Sequence, residues 1–193
     1  MPAHILWYDM LDSTNSELRR RLEELDNLSI IAAKSQTQGR GQGSHSWTSA
    51  DGENLTFSLL LRFDGERTPA RDAAVINDII TPAIREFLAE EGVESWVKLP
   101  NDIWVGDRKI CGILIENILH GGFLGETIVG IGLNLNQTGW PSDLPNPVSL
   151  KELTGKEYPP EETLERIFTL CKKNWEKFRL SAEPRQPLPD CLT

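Results

Sequence analysis

Residues 97–117 read VKLPNDIWVGDRKICGILIEN. Most of this stretch forms two strands joined by a tight turn. The first arm ends in Ile103-Trp104-Val105, and Gly106-Asp107 is a Gly-X pair of the kind a two-residue hairpin uses when its first central residue needs φ > 0. The second arm, Ile110 to Ile115, is apolar on both faces and predicts a central strand covered on both sides. Lys98, Asn101, Asp102, Lys109 and Glu116 interrupt or flank this apolar segment. A charge in such surroundings must be paired, hydrogen-bonded or matched to a ligand. Gly112 removes a side chain inside the strand, a mark of close approach by a ligand or another backbone. Taken alone, Asp102 and Lys109 read equally well as a salt-bridged pair at the hairpin mouth and as part of a site.

Working outward, residues 4–9 form a first strand and Asp12-Ser13-Thr14-Asn15 opens a helix. Thr14-x-x-Glu17 fits a capping box, and Leu18, Leu22 and Leu25 follow at helical spacing. A helix start also aims N–H groups and hydroxyls at whatever lies before it, so this turn is either a plain cap or a binding element. Residues 28–33 form a short strand. Residues 54–63 alternate as a strand with one buried face. Residues 70–91 predict a long helix closed by Gly92, with a kink or break at Pro82. Gly121-Gly122 is a turn, and residues 123–136 form one further strand or two. Residues 148–153 are a short helix stopped by Gly155, and residues 161–178 a helix with Leu164, Ile167, Phe168, Cys171, Trp175 and Phe178 on one face. The pattern is α+β: a mainly antiparallel or mixed sheet packed with helices. Residues 1–180 form one domain, followed by a short Pro-rich tail over residues 181–193.

The 193 residues, 39% hydrophobic and 25% charged, suffice for one substantial core. A net charge of −9 argues against a general nucleic-acid surface. No run approaches a membrane span, the N-terminus lacks the features of a signal peptide, and three scattered cysteines form no disulfide or zinc framework. These features predict a cytoplasmic protein with no membrane partner. The charge is unevenly spread. Residues 34–50 contain no acid, but hold Lys34, Arg40, His45 and several glycines, which suggests a local anion site. Arg40 stands between Gly39 and Gly41, where its fork and the backbone N–H groups can meet one phosphate or carboxylate. Trp47 ends this loop, either as a core residue or as a flat face for an aromatic base.

These segments together resemble the biotin protein ligase family. The resemblance runs through Asp12-Ser13-Thr14-Asn15, Gln36, Gly39-Arg40-Gly41 to Trp47, and Gly52-x-Asn54-Leu55-x-Phe57-Ser58-Leu59. It continues through Lys98-x-Pro100-Asn101-Asp102, Asp107-Arg108-Lys109-x-x-Gly112-Ile113-Leu114-x-Glu116 and Gly130-Ile131-Gly132-Leu133-Asn134. It implies the class II synthetase-like biotin/lipoate ligase fold. It also implies a two-step reaction: biotin and ATP give biotinyl-5′-AMP, whose biotinyl group passes to a lysine of a biotin carboxyl carrier domain.

By resemblance, biotin is held by Ser13, Thr14, Asn15, Gln36, Gly39, Arg40, Gly41, Gln42, Lys109 and Gly112. The nucleotide is held by Arg40, Trp47, Asn101, Asp102, Lys109 and Asn134, with Mg2+ near Asp102. Lys109, Arg40 and Asp102 are the catalytic group. The chain departs from the family where further arginines often follow the first: here stand Gln42, Gly43, Ser44 and His45. Leu99 stands where many relatives have Trp. The resemblance implies a catalytic domain, monomeric or homodimeric, without an N-terminal helix-turn-helix and without the usual small C-terminal domain. A lipoate or octanoate ligase or transferase of the same fold, or a non-catalytic binder of biotin or its adenylate, are the competing readings.

Overall fold

The computed structural model describes residues 5–43, 45–63, 68–142, 144 and 146–181. Nearly all of the expected Pro-rich tail, from residue 182 on, lies outside them. The strands are β1 (Ile5–Leu11), β2 (Ile30–Gln36), β3 (Leu55–Arg62), β4 (Trp96–Lys98), β5 (Asp102–Val105), β6 (Arg108–His120) and β7 (Phe123–Leu133). They form one sheet in the order β1-β2-β3-β7-β6-β5-β4. β1 and β2 run parallel, and every other neighbouring pair is antiparallel. The helices are α1 (Thr14–Arg20), α2 (Val75–Glu90), α3 (Leu150–Thr154) and α4 (Pro160–Ser181).

The hairpin at the centre of the sequence folds as its residues demand. Gly106 takes φ +57° between β5 and β6, a conformation costly for any side chain. β6 is longer than its apolar stretch and is an interior strand, paired on both sides.

One face of the sheet carries the main core. Leu55, Phe57, Leu59 and Leu61 of β3, Cys111 and Ile113 of β6, and Val129, Ile131 and Leu133 of β7 meet Ile76, Ile80, Ile84 and Phe87 of α2 and Leu164, Ile167, Cys171 and Trp175 of α4. On the other face α1 covers only part of the sheet, through a small cluster of Leu18, Leu25, Ile31, Leu60 and Ile128.

Three expectations change. β3, predicted to have one buried face, is buried on both, because α1 reaches over it. β6, predicted to be covered on both faces, is covered on one; its other face is the floor of a cavity. α2 starts at Val75 rather than at residue 70, and of the kink or break expected at Pro82 the break does not occur, since one helix runs through it. Residues 123–133 form a single strand.

Candidate active site

The cavity floor is made by removing side chains. Gly112 on β6 faces Gly132 on β7, and Leu114 faces Gly130. A Cβ on Gly132 would lie 2.2 Å from Trp47 Cε2, and one on Gly112 2.9 Å from Trp47 Cζ3. A Cβ on Gly130 would lie 2.3 Å from Asn15 Oδ1. The glycines form a trench in which the indole of Trp47 and the amide of Asn15 rest against bare backbone. The close approach read from Gly112 is thus made by a side chain of the chain itself.

The β1–α1 turn supplies one wall. Ser13, Thr14 and Asn15 are buried there. The expected capping box is not formed: Ser13 is the cap residue without a side-chain cap bond. Glu17 instead binds Arg20. Ser58 on β3 accounts for the difference, with its hydroxyl 2.8 Å from Thr14 Oγ1 and 2.5 Å from Asn15 Oδ1. The Thr14 N–H donates to Gln36 Oε1 at 2.7 Å. The result is a neutral polar end to the cavity.

The loop after β2 supplies the second wall. It folds back on itself: the Gly41 N–H donates to the His45 carbonyl at 2.8 Å and the Trp47 N–H to the Gly39 carbonyl at 3.0 Å. Gly39 is needed for that fold, since a Cβ there would lie 2.1 Å from the Trp47 carbonyl oxygen. Gly39 itself does not line the cavity, whereas Arg40, Gly41, Gln42, His45, Ser46 and Trp47 do. The Arg40 guanidinium is bidentate on Glu116 of β6, at 2.9 and 3.3 Å. Lys34 is occupied elsewhere, by Asp9 at 2.8 Å.

The third wall comes from the central hairpin. The Asn101 amide donates to the Ile113 carbonyl, tying the β4–β5 connection to β6. Lys109 Nζ lies 2.8 Å from Asp102 Oδ1, with the two side chains 29% and 31% exposed. The pair and the site are therefore the same thing: both residues line the cavity. Lys109 Nζ is also 5.7 Å from the Trp47 ring centroid. Asn134 is the one expected nucleotide contact outside the lining. It is buried, and its amide donates to the carbonyls of Lys109 and Val148 at 3.3 and 3.1 Å, fixing the start of β6.

The whole encloses about 260 Å³. Arg40 and Lys109 bring two cations to it, and Asp102 is its one carboxylate among the described residues. That arrangement suits two anions brought close together. No group of three or more His, Cys, Asp or Glu among the described residues could hold a metal. A single carboxylate fits a magnesium ion carried on substrate phosphates rather than one caged by protein. Neither cysteine among the described residues offers a nucleophile. Cys111 and Cys171 face the core, and burial pushes the Cys171 thiol up to about 12 and that of Cys111 higher.

Residue types alone do not mark Thr56, Gly130 and Gly132 as lining or Ser58 as a support, whereas Glu116, flagged as a charge needing a partner, has its partners in Arg40 and Asn15. The repeated glycines of Gly130-Ile131-Gly132 are the available signal for the floor.

Comparison with known proteins agrees with this fold. The model of the Biotin/lipoate A/B protein ligase family matches residues 7–134. The bifunctional ligase/repressor BirA of Bacillus subtilis is 28% identical over 189 residues, covering 92% of this chain and 55% of that protein. The biotin–[acetyl-CoA-carboxylase] ligase of Paracoccus denitrificans is 29% identical over 162 residues, 81% of this chain and 66% of its own length. The chain thus spans about half to two thirds of these relatives. Among solved structures, the biotin protein ligase of Aquifex aeolicus in complex with biotin and ATP superimposes with a TM-score of 0.77 at 27% identity, over 92% of this chain and 72% of that one.

Proposed function

This chain belongs to the Biotin/lipoate A/B protein ligase family, and we propose that it is a biotin protein ligase working in the cytoplasm. Its substrates are biotin, ATP with magnesium, and a lysine of a biotin carboxyl carrier domain. The observation that supports this best is the convergence of Arg40 and Lys109, from two separate walls, on a glycine-floored cavity whose other end is neutral and polar.

The first step joins two anions. An oxygen of the biotin carboxylate attacks the α-phosphorus of ATP, a new O–P bond forms, and the bond to the bridging oxygen breaks as pyrophosphate leaves. Lys109 and Arg40 offset the charge that builds between the two groups, in a cavity whose walls limit water. Ser13, Thr14, Asn15 and Gln36 offer hydrogen bonds of the kind an uncharged bicyclic head accepts. Trp47 offers a face for the adenine. Magnesium carried on the phosphates would supply further neutralising charge, and Asp102 is the residue that would contact it.

In the second step a carrier lysine amine attacks the acyl carbon. The C–N bond forms, the acyl–phosphate bond breaks, and AMP leaves with the electron pair. Asp102, which already pairs with one ammonium, would take the proton released by the incoming one.

Biotin-dependent exchange of pyrophosphate into ATP tests the first step, and transfer of biotin to an isolated carrier domain tests the second. Exchange driven by biotin and followed by transfer is the expected result. Exchange driven by lipoate or octanoate in its place overturns the substrate assignment, and biotin binding without exchange overturns the enzymatic one.

A further inference from the structure

The ligase reading leaves one contact unexplained. Arg40 is needed at the anions, yet both arms of its guanidinium rest on Glu116, which does not line the cavity. Glu116 is 17% exposed and held on β6 by its strand pairing with Ile128, so it cannot follow Arg40 if the loop moves. It has two further partners on α1. Asn15 Nδ2 donates to Glu116 Oε2 at 2.8 Å, and Arg19 Nη2 stands 3.6 Å from Oε1. Asn15 and Arg19 are four residues apart on α1, which brings both to the same carboxylate. Arg19 contributes charge there but lies beyond hydrogen-bond distance.

Resting on the ligase reading, we propose that Glu116 is a positioning residue that holds Arg40 in reserve, and that Arg19 takes over the carboxylate when a substrate anion draws Arg40 away. The exchange conserves charge pairing. Arg40 leaves one anion for another, and a mostly buried carboxylate, costly to leave without a cation, gains the one beside it. Arg20 cannot serve, being engaged by Asp12 and Glu17, nor can Lys34, engaged by Asp9. Glu116 thus competes with substrate for Arg40, and Arg19 lowers the cost of losing that competition.

The test is a double-mutant cycle on biotin affinity, measured by calorimetry on Glu116→Gln, Arg19→Gln and the double variant. Glu116→Gln removes the competitor and is expected to tighten biotin on the order of three- to tenfold. Arg19→Gln, on an exposed side chain that leaves the fold intact, is expected to weaken it by a similar factor. In the Glu116→Gln background the Arg19 effect should vanish, which a merely structural role would not produce. Amide hydrogen exchange without ligand gives a second readout: Glu116→Gln should speed exchange at Gly41 and Trp47 and leave α2 unchanged. Weaker biotin binding in Glu116→Gln, or an Arg19 effect of equal size in both backgrounds, overturns the exchange of partners. If the unsubstituted protein fails to bind biotin while Glu116→Gln still speeds loop exchange, the ligase reading falls and the Glu116 clasp stands.

Discussion

On the face of β6 that meets the long helices, Cys111 and Ile113 are almost wholly buried among other apolar side chains. On the opposite face of the same strand, one residue out of step, Gly112 and Glu116 meet Trp47, Lys109, Arg40 and Asn15. The first face is stabilised by volume and neutrality, through many small contacts. The second is shaped by missing side chains and held by a few directional bonds between residues distant in the chain. A lesion on the first face should therefore be felt as lost stability, and one on the second as lost chemistry.

The largest separation is expected from Phe87→Ala on α2. Phe87 is fully buried in the main core, so its truncation should cost about 3–5 kcal/mol in a denaturant titration. Pyrophosphate exchange per folded molecule should stay normal; a loss of exchange without a loss of stability would break the division between the faces. Lys109→Met should do the reverse. Adenylation should fall on the order of 100- to 1000-fold. Asp102, still 31% exposed, keeps enough water to be left without its partner at a cost of about 1 kcal/mol or less by thermal melting. A protein that melts early but exchanges normally per folded molecule would return Lys109 to a purely structural role.

Trp47→Ala sharpens the comparison within the site face. Stacking on a base is worth about 1–3 kcal/mol, so ATP affinity should fall by that amount and biotin affinity by less. Equal losses in calorimetry would make Trp47 a wall for both. The smallest effect concerns the β1–α1 turn. The Arg20 guanidinium, helped by the Ser13 N–H, holds the Asp12 carboxyl down at about 2, below its ordinary 3.8. A depressed value means the contribution is present above pH 3.8 and is lost as pH falls through about 2. Asp12→Asn should accordingly lose less thermal stability than the parent between pH 4 and pH 2. Parallel curves would show that the pair contributes nothing, as exposed pairs often do.

The same division governs what the sequence discloses. Hairpin turns and helix ends depend on neighbours in the chain, so Gly106-Asp107, Gly121-Gly122 and Gly155 could be placed from local chemistry alone. The core stripe of α4 follows likewise from helical spacing. The site face depends on partners far along the chain. Thr14 reads as part of a capping box because Ser58, 44 residues on, cannot be seen beside it. Arg40 reads as a free cation because its carboxylate is 76 residues away. β6 reads as covered on both faces because hydrophobicity does not tell a helix from a ligand-sized space, and β3 reads as one-faced because Thr56 and Ser58 on its second face do not disclose the cavity and α1 that lie over them. Gly39 and Asn134 carry family patterns, yet one shapes the loop and the other anchors the strand under Lys109.

The paired glycines also limit how this site can change over evolutionary time. Gly112 and Gly132 face each other across two interior strands, and glycine is already the smallest residue. The floor can be raised by substitution but never lowered. Nor can bulk added at one of the two be compensated by trimming the other. More room above that floor must therefore come from the walls: the β1–α1 turn, the Gln36–Trp47 loop, where Gln42 is exposed, or the hairpin around Lys109. A side chain at either glycine meets the Trp47 indole first, so a single codon change there would displace that wall of the site.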